Sequence, residues 1–145
     1  MPLLTALLLT VSAGAGLPPV PAPVEAKLQL LQQCTRAVGE NHAARQALAA
    51  FLPATGLDAA RNAEALAERA HFLASRDAWR ALLRLKYDTR RVDELLPETP
   101  TPHAASTQDE TAVRARIVGS ERLSNNCLLD MPEFDAAFNA PESER

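Results

Sequence analysis

Cys34 and Cys127 are the two cysteines of this 145-residue chain, and no other residues offer it more chemistry. In an exported protein an isolated pair reads as one disulfide, here closing a loop of 93 residues (127 minus 34). In a reducing compartment the same pair reads as two buried thiols. Neither cysteine has a histidine beside it in sequence to make it a nucleophile. The three histidines, His42, His71 and His103, include no pair at the three- or four-residue spacing that sets two metal ligands on one helix face. Neither a metal nor any other cofactor is expected.

The arginines suit recognition better than catalysis. Arg76, Arg80 and Arg84 stand four apart and line one helical face, with Arg69 about two turns back and Arg90 and Arg91 beyond. Asp130 to Glu144 is acidic. Two readings fit the stripe: a solvated face paired with the chain's own acids, or a surface that binds an acidic protein partner through arginine forks. Trp79, beside the stripe, is either a core residue or an interface anchor. Glu64 and Glu68 lie four apart, as the acids of a small exported glycan hydrolase could, but neither sits in the apolar segment that a general acid needs. Phosphate loops, nucleophile elbows and metalloprotease helices are absent. No catalytic residue is assigned, and the expectation is a binding protein rather than an enzyme.

The chain length suits one domain with a single core. A net charge of −3 gives no reason to expect nucleic-acid binding. Aromatics make up only 4% of the residues and alanine much of the apolar fraction, so the core should be modest in energy. Leu3 to Val11 is an uncharged apolar run of nine residues, right for the centre of a secretory signal and too short to span a bilayer. Ala13-Gly14-Ala15 fits the small-x-small cleavage rule, although Met1-Pro2 supplies no basic side chain. The expectation is a signal peptide over 1–15 and a periplasmic or secreted protein, with a buried first helix as the alternative. A proline-rich spacer over 16–24 follows, then a helical domain over 25–140 and a solvated tail over 141–145.

Everything after the spacer must pack against Asp58 to Asp88, a stretch without proline or glycine whose apolar residues recur at helical spacing: Leu66, Ala70, Leu73, Trp79, Leu83 and Tyr87. Ser75-Arg76-Asp77 is a candidate division into two helices. Before it, Glu25 to Val38 carries the stripe Leu28, Leu31, Cys34 (or Thr35) and Val38, which puts Cys34 on the buried side. Gly39-Glu40-Asn41 is a stop or kink, with Asn41 capping a second helix from His42 to Leu52. Thr89 caps a short helix to Leu96, and a loop runs from Pro97 to Ser106. Thr107 and Glu110 match a capping box that opens a helix over 109–123. The alternation in Val113 to Val118 keeps a strand open there. Ser124-Asn125-Asn126 is a turn cluster, and Pro132 opens a last helix on which Phe134 and Phe138 share a face. The fold class expected is all-α, a bundle of five to six helices tied by one disulfide.

Cys34 near the end of the first helix, Cys127-Leu128-Leu129-Asp130, and Pro132-Glu133-Phe134-Asp135 at the last helix start together resemble one family. It is the periplasmic immunity proteins that neutralise type VI secretion peptidoglycan amidases. The resemblance covers the two ends of the chain after its leader. It implies an all-helical inhibitor that binds and blocks a cell-wall-cutting effector, often as a homodimer.

Overall fold

The computed structural model describes residues 16–99 and 108–140. The leader, His103, Thr107 and the tail over 141–145 lie outside the described residues. Five α-helices and one 3-10 turn (Ala49–Phe51) form the described part: α1 Ala22–Leu48, α2 Leu57–Lys86, α3 Thr89–Leu95, α4 Glu110–Leu129 and α5 Met131–Asn139. The all-α expectation holds, and Val113 to Val118 is helical, not a strand.

α1 starts earlier and ends later than the sequence suggests. Pro23 occupies the first turn, where a missing N–H costs nothing, so the helix begins inside the proline-rich stretch. Val20 and Val24 are buried in the core, and Asp88 N–H donates to the Pro18 carbonyl at 2.8 Å, so part of the expected spacer packs on the domain. The helix then runs through Gly39 without a break. A mid-helix glycine costs about 1 kcal/mol, too little to outweigh the continuous buried face of Val24, Leu28, Leu31, Cys34, Val38, Asn41 and Leu48. Asn41, expected as a cap, is fully buried within the helix.

α2 is also one helix, undivided at Ser75 to Asp77 and about 45 Å long by its residue count. Gly56, at φ 119°, holds the N-cap position of α2, a backbone conformation suited to glycine. Its buried face differs from the expected one in the first half. Asn62, Arg69, Phe72 and Arg76 point inward, Ala70 is exposed, and Leu66 and Leu73 are only partly covered. Trp79, Leu83 and Tyr87 are buried as expected. Asp88, not Thr89, precedes α3 as its N-cap. Asp109 caps α4, its carboxylate accepting from Ala112 N–H at 2.7 Å, and α4 continues through Gly119 and the Ser124–Asn126 cluster to Leu129.

α1 and α4 pack side by side, held by the Cys34–Cys127 disulfide at a Cα–Cα distance of 5.5 Å. α5 folds back on α2 through an aromatic cluster. Trp79 lies 5.9 Å from Phe134 and 5.7 Å from Phe138, and the two phenylalanines stack 6.1 Å apart. Phe72 meets Phe134 edge-on at 6.5 Å. Four of the six aromatics of this chain are therefore concentrated where its short last helix docks.

Two stability measurements check this packing. Replacing both cysteines, Cys34→Ala with Cys127→Ala, should lower unfolding free energy in urea by up to about 4–5 kcal/mol, the chain-entropy value for a loop this long. Nothing lies within 4 Å of a Cβ built on Gly39 or Gly119. Gly39→Ala and Gly119→Ala should therefore each stabilise by about 0.5–1 kcal/mol; a loss at either site would show that the backbone there needs glycine.

Candidate functional site

Of the two readings of the arginine stripe, pairing with the chain's own groups describes Arg76 and Arg80, while Arg84 stays exposed. Arg76 is 1% exposed, and its guanidinium donates to the Pro97 carbonyl, to Thr99 Oγ1 at 2.9 Å and to Asp77 at 2.9 Å. Arg80 donates to the Leu96 carbonyl and to Asp93, both at 2.8 Å. Arg84 pairs with the same Asp93 at 3.0 Å and is the most exposed of the three. The stripe thus clamps the C-terminal end of α3, where free carbonyls and the helix dipole favour cations. Arg76 and Arg80 thus face their own chain, and of the three only Arg84 keeps an exposed side chain.

Arg69 belongs to a second internal cluster. Asn41, at 0% exposure on α1, accepts from Arg69 Nε at 2.6 Å and from Arg45 Nε at 2.8 Å through one oxygen. Its amide nitrogen donates to Ser120 Oγ at 3.0 Å and to Glu121 at 2.8 Å on α4. Glu121 also takes both Arg45, at 2.8 Å, and Arg69, at 3.3 Å, while Arg69 reaches Asn125 at 2.8 Å. Asn62 closes the group by donating to the Arg45 carbonyl at 3.0 Å. Burial alone pushes the Glu121 carboxyl up. Hydrogen bonds from Asn41 and Arg45, with the charges of Arg45 and Arg69, outweigh burial and hold it below the ordinary carboxylate value. Burial first, and the Arg69 charge second, hold the neighbouring His42 below its ordinary value too. This cluster is internal structure rather than an open site.

Among the described residues an open groove of about 470 Å³ lies between α2 and α5. One wall is His71, Ser75, Ala78 and Leu82, spaced four, three and four along α2; the other includes Met131, Asp135 and Asn139, four apart along α5. Trp79 lies between them, 6% exposed, so the core reading of that residue holds while its edge still lines the groove. Its indole N–H donates to Asp135 Oδ1 at 3.1 Å, and Asn139 donates to the same oxygen at 2.7 Å. His71 and Ser75 make no hydrogen bond to Asp135 or to each other among the described residues, so no nucleophile–base pair is assembled there.

Glu64 and Glu68 are both exposed on α2. Among the described residues no group of three histidine, cysteine or acidic side chains is placed to hold a metal, and no helix is long and apolar enough to cross a membrane. The sequence reading missed the groove, although a signal was present: putting Phe134 and Phe138 on the inner face leaves Met131, Asp135 and Asn139 on a neighbouring face of the same helix. Comparison with known proteins returns nothing: no family model matches, and neither does any curated protein or solved structure.

The two pKa directions fix how stability varies with pH. In each case the unfolded chain accepts a proton that the folded chain resists, so stability is full above the unfolded value and declines as pH falls. The decline starts below about 6.5 for His42 and below about 4.3 for Glu121. Thermal melts from pH 7.5 to 3.5 should show it in two parts. His42→Ala should flatten the upper part and Glu121→Gln the lower, the latter also costing about 1–3 kcal/mol at neutral pH by leaving two guanidiniums without a counter-charge. A wild-type profile flat to pH 4 would contradict this assignment.

Proposed function

We propose that this chain is an exported helical domain that binds a protein, acting as an immunity protein that inhibits a type VI secretion peptidoglycan amidase. The observation that carries the reading is the corner where the resembling residues meet. Cys127 is bonded to Cys34, and Asp130 leads directly into α5, which has Pro132 in its first turn and Phe134 in the core. A covalent tie at that corner suits a domain working outside the reducing cytoplasm. The groove beside it offers apolar walls and a tryptophan edge, features common at protein interfaces. An accessory-subunit role docking through Arg76 to Arg84 loses support from the internal contacts of that stripe, and a hydrolase built on Glu64 and Glu68 loses it from their exposure.

Cells directing a toxic peptidoglycan amidase, encoded by a neighbouring gene, to the periplasm should survive when this chain is co-expressed with its leader. A version starting at Gly16 should leave them unprotected. Toxicity unchanged by both deletion and overexpression of the full chain would rule out the immunity role. Mass spectrometry of the mature protein with and without reductant should show loss of about fifteen residues, the length expected for the leader, and a 2 Da gain on reduction of one disulfide.

A further inference from the structure

The charges of this protein are unevenly satisfied. Of the five arginines on α2, four, Arg69, Arg76, Arg80 and Arg84, are held by acids or carbonyls of the same chain. The opposite holds beside the groove. Residues 127–140 contain Asp130, Glu133 and Asp135 and no lysine or arginine. Glu133 meets Lys27 only at 3.8 Å, and neither Asp130 nor Asp135 forms an ion pair among the described residues. Lys86 turns instead to the Phe138 carbonyl, at 3.1 Å, at the end of α5.

Asp135 is also oriented. Trp79 and Asn139 both donate to Oδ1, which fixes the carboxylate plane and leaves Oδ2 without a hydrogen bond among the described residues. The apolar surface next to it comes from Trp79, Leu82 and Met131, and Leu85, 75% exposed, lies one turn beyond Leu82 on α2. A carboxylate held in place beside an aromatic edge and aliphatic side chains matches the two parts of an arginine or lysine side chain. Its charged head meets the free oxygen, and its methylene stem lies on the apolar wall.

We propose that the α2–α5 groove docks a segment of a partner protein through a basic side chain, with Asp135 as the carboxylate that receives it. The inference rests on the protein-binding reading above and gives the partner the opposite sign to the one the arginine stripe would suit: the groove presents a carboxylate.

The single tryptophan of the chain makes the groove directly observable. The oxidised full-length mature protein is titrated with two peptides, acetyl-Leu-Arg-Leu-amide and acetyl-Leu-Gln-Leu-amide, while the Trp79 indole N–H resonance is followed. The arginine peptide should bind about two- to fivefold more tightly, the range for an exposed ion pair. That preference should vanish in Asp135→Asn, which keeps an acceptor for Trp79 and Asn139, and should shrink in wild type as salt is raised. Equal binding of the two peptides, a preference surviving in Asp135→Asn, or an indole resonance unmoved by both overturns the proposal. Cell protection separates this from the amidase reading. Protection that persists with Asp135→Arg defeats the groove alone; failure of the wild type to protect defeats the amidase role, and the peptide titration still decides the groove.

Discussion

The packing of α1 against α4 is the constraint on which the rest of the molecule depends. Two fixed points set it. Cys34 is bonded to Cys127, and seven residues along α1, Asn41 donates to Ser120, seven residues back along α4. Both pairs sum to the same number, so the helices run antiparallel in a single register. One tie is covalent and the other is a hydrogen-bonded clasp, and they sit two turns apart on one seam. A purely apolar seam of small residues could slide by a turn at modest cost. Sliding here would strip Arg45, Arg69 and the buried Asn41 amide of their acceptors on α4, Ser120, Glu121 and Asn125, a penalty of several unmade hydrogen bonds.

With that seam fixed, α2 and α5 have little freedom. Arg69 ties α2 to the clasp, and the aromatic cluster around Trp79 ties α5 to α2. α5 follows Cys127 after only three residues, so the bridge that holds α4 also places the helix forming one wall of the groove. Arg69, Arg76 and Arg80 are drawn inward by carbonyls and carboxylates of the same chain. What faces outward at the groove includes the Asp135 carboxylate, held in place by Trp79 and Asn139.

Much of this was legible in the sequence where the signal is local. The uninterrupted helix-forming composition of α2, the pairing of the only two cysteines and the shared face of Phe134 and Phe138 all follow from spacing and residue type. Two kinds of feature were not. Helix ends were misread at Gly39, at Ser75 to Asp77 and at Ser124 to Asn126, because a propensity penalty of about 1 kcal/mol per residue is smaller than the gain from continuing a buried face. The burial of the inward arginines was not legible because their acceptors are remote: Asn41 lies 28 residues from Arg69, and Glu121 lies 52. A stripe of arginines reads as a surface until the fold delivers the carbonyls and carboxylates that bury it.

Native-state hydrogen exchange on the oxidised and reduced protein tests the seam most directly. Amides on the facing sides of α1 and α4 should be the slowest to exchange when the bridge is intact, and on reduction their protection should fall together, with α5 following α4. If α4 and α5 lose protection while α1 keeps its own, or if reduction leaves all three unchanged, the seam is not what holds the molecule together.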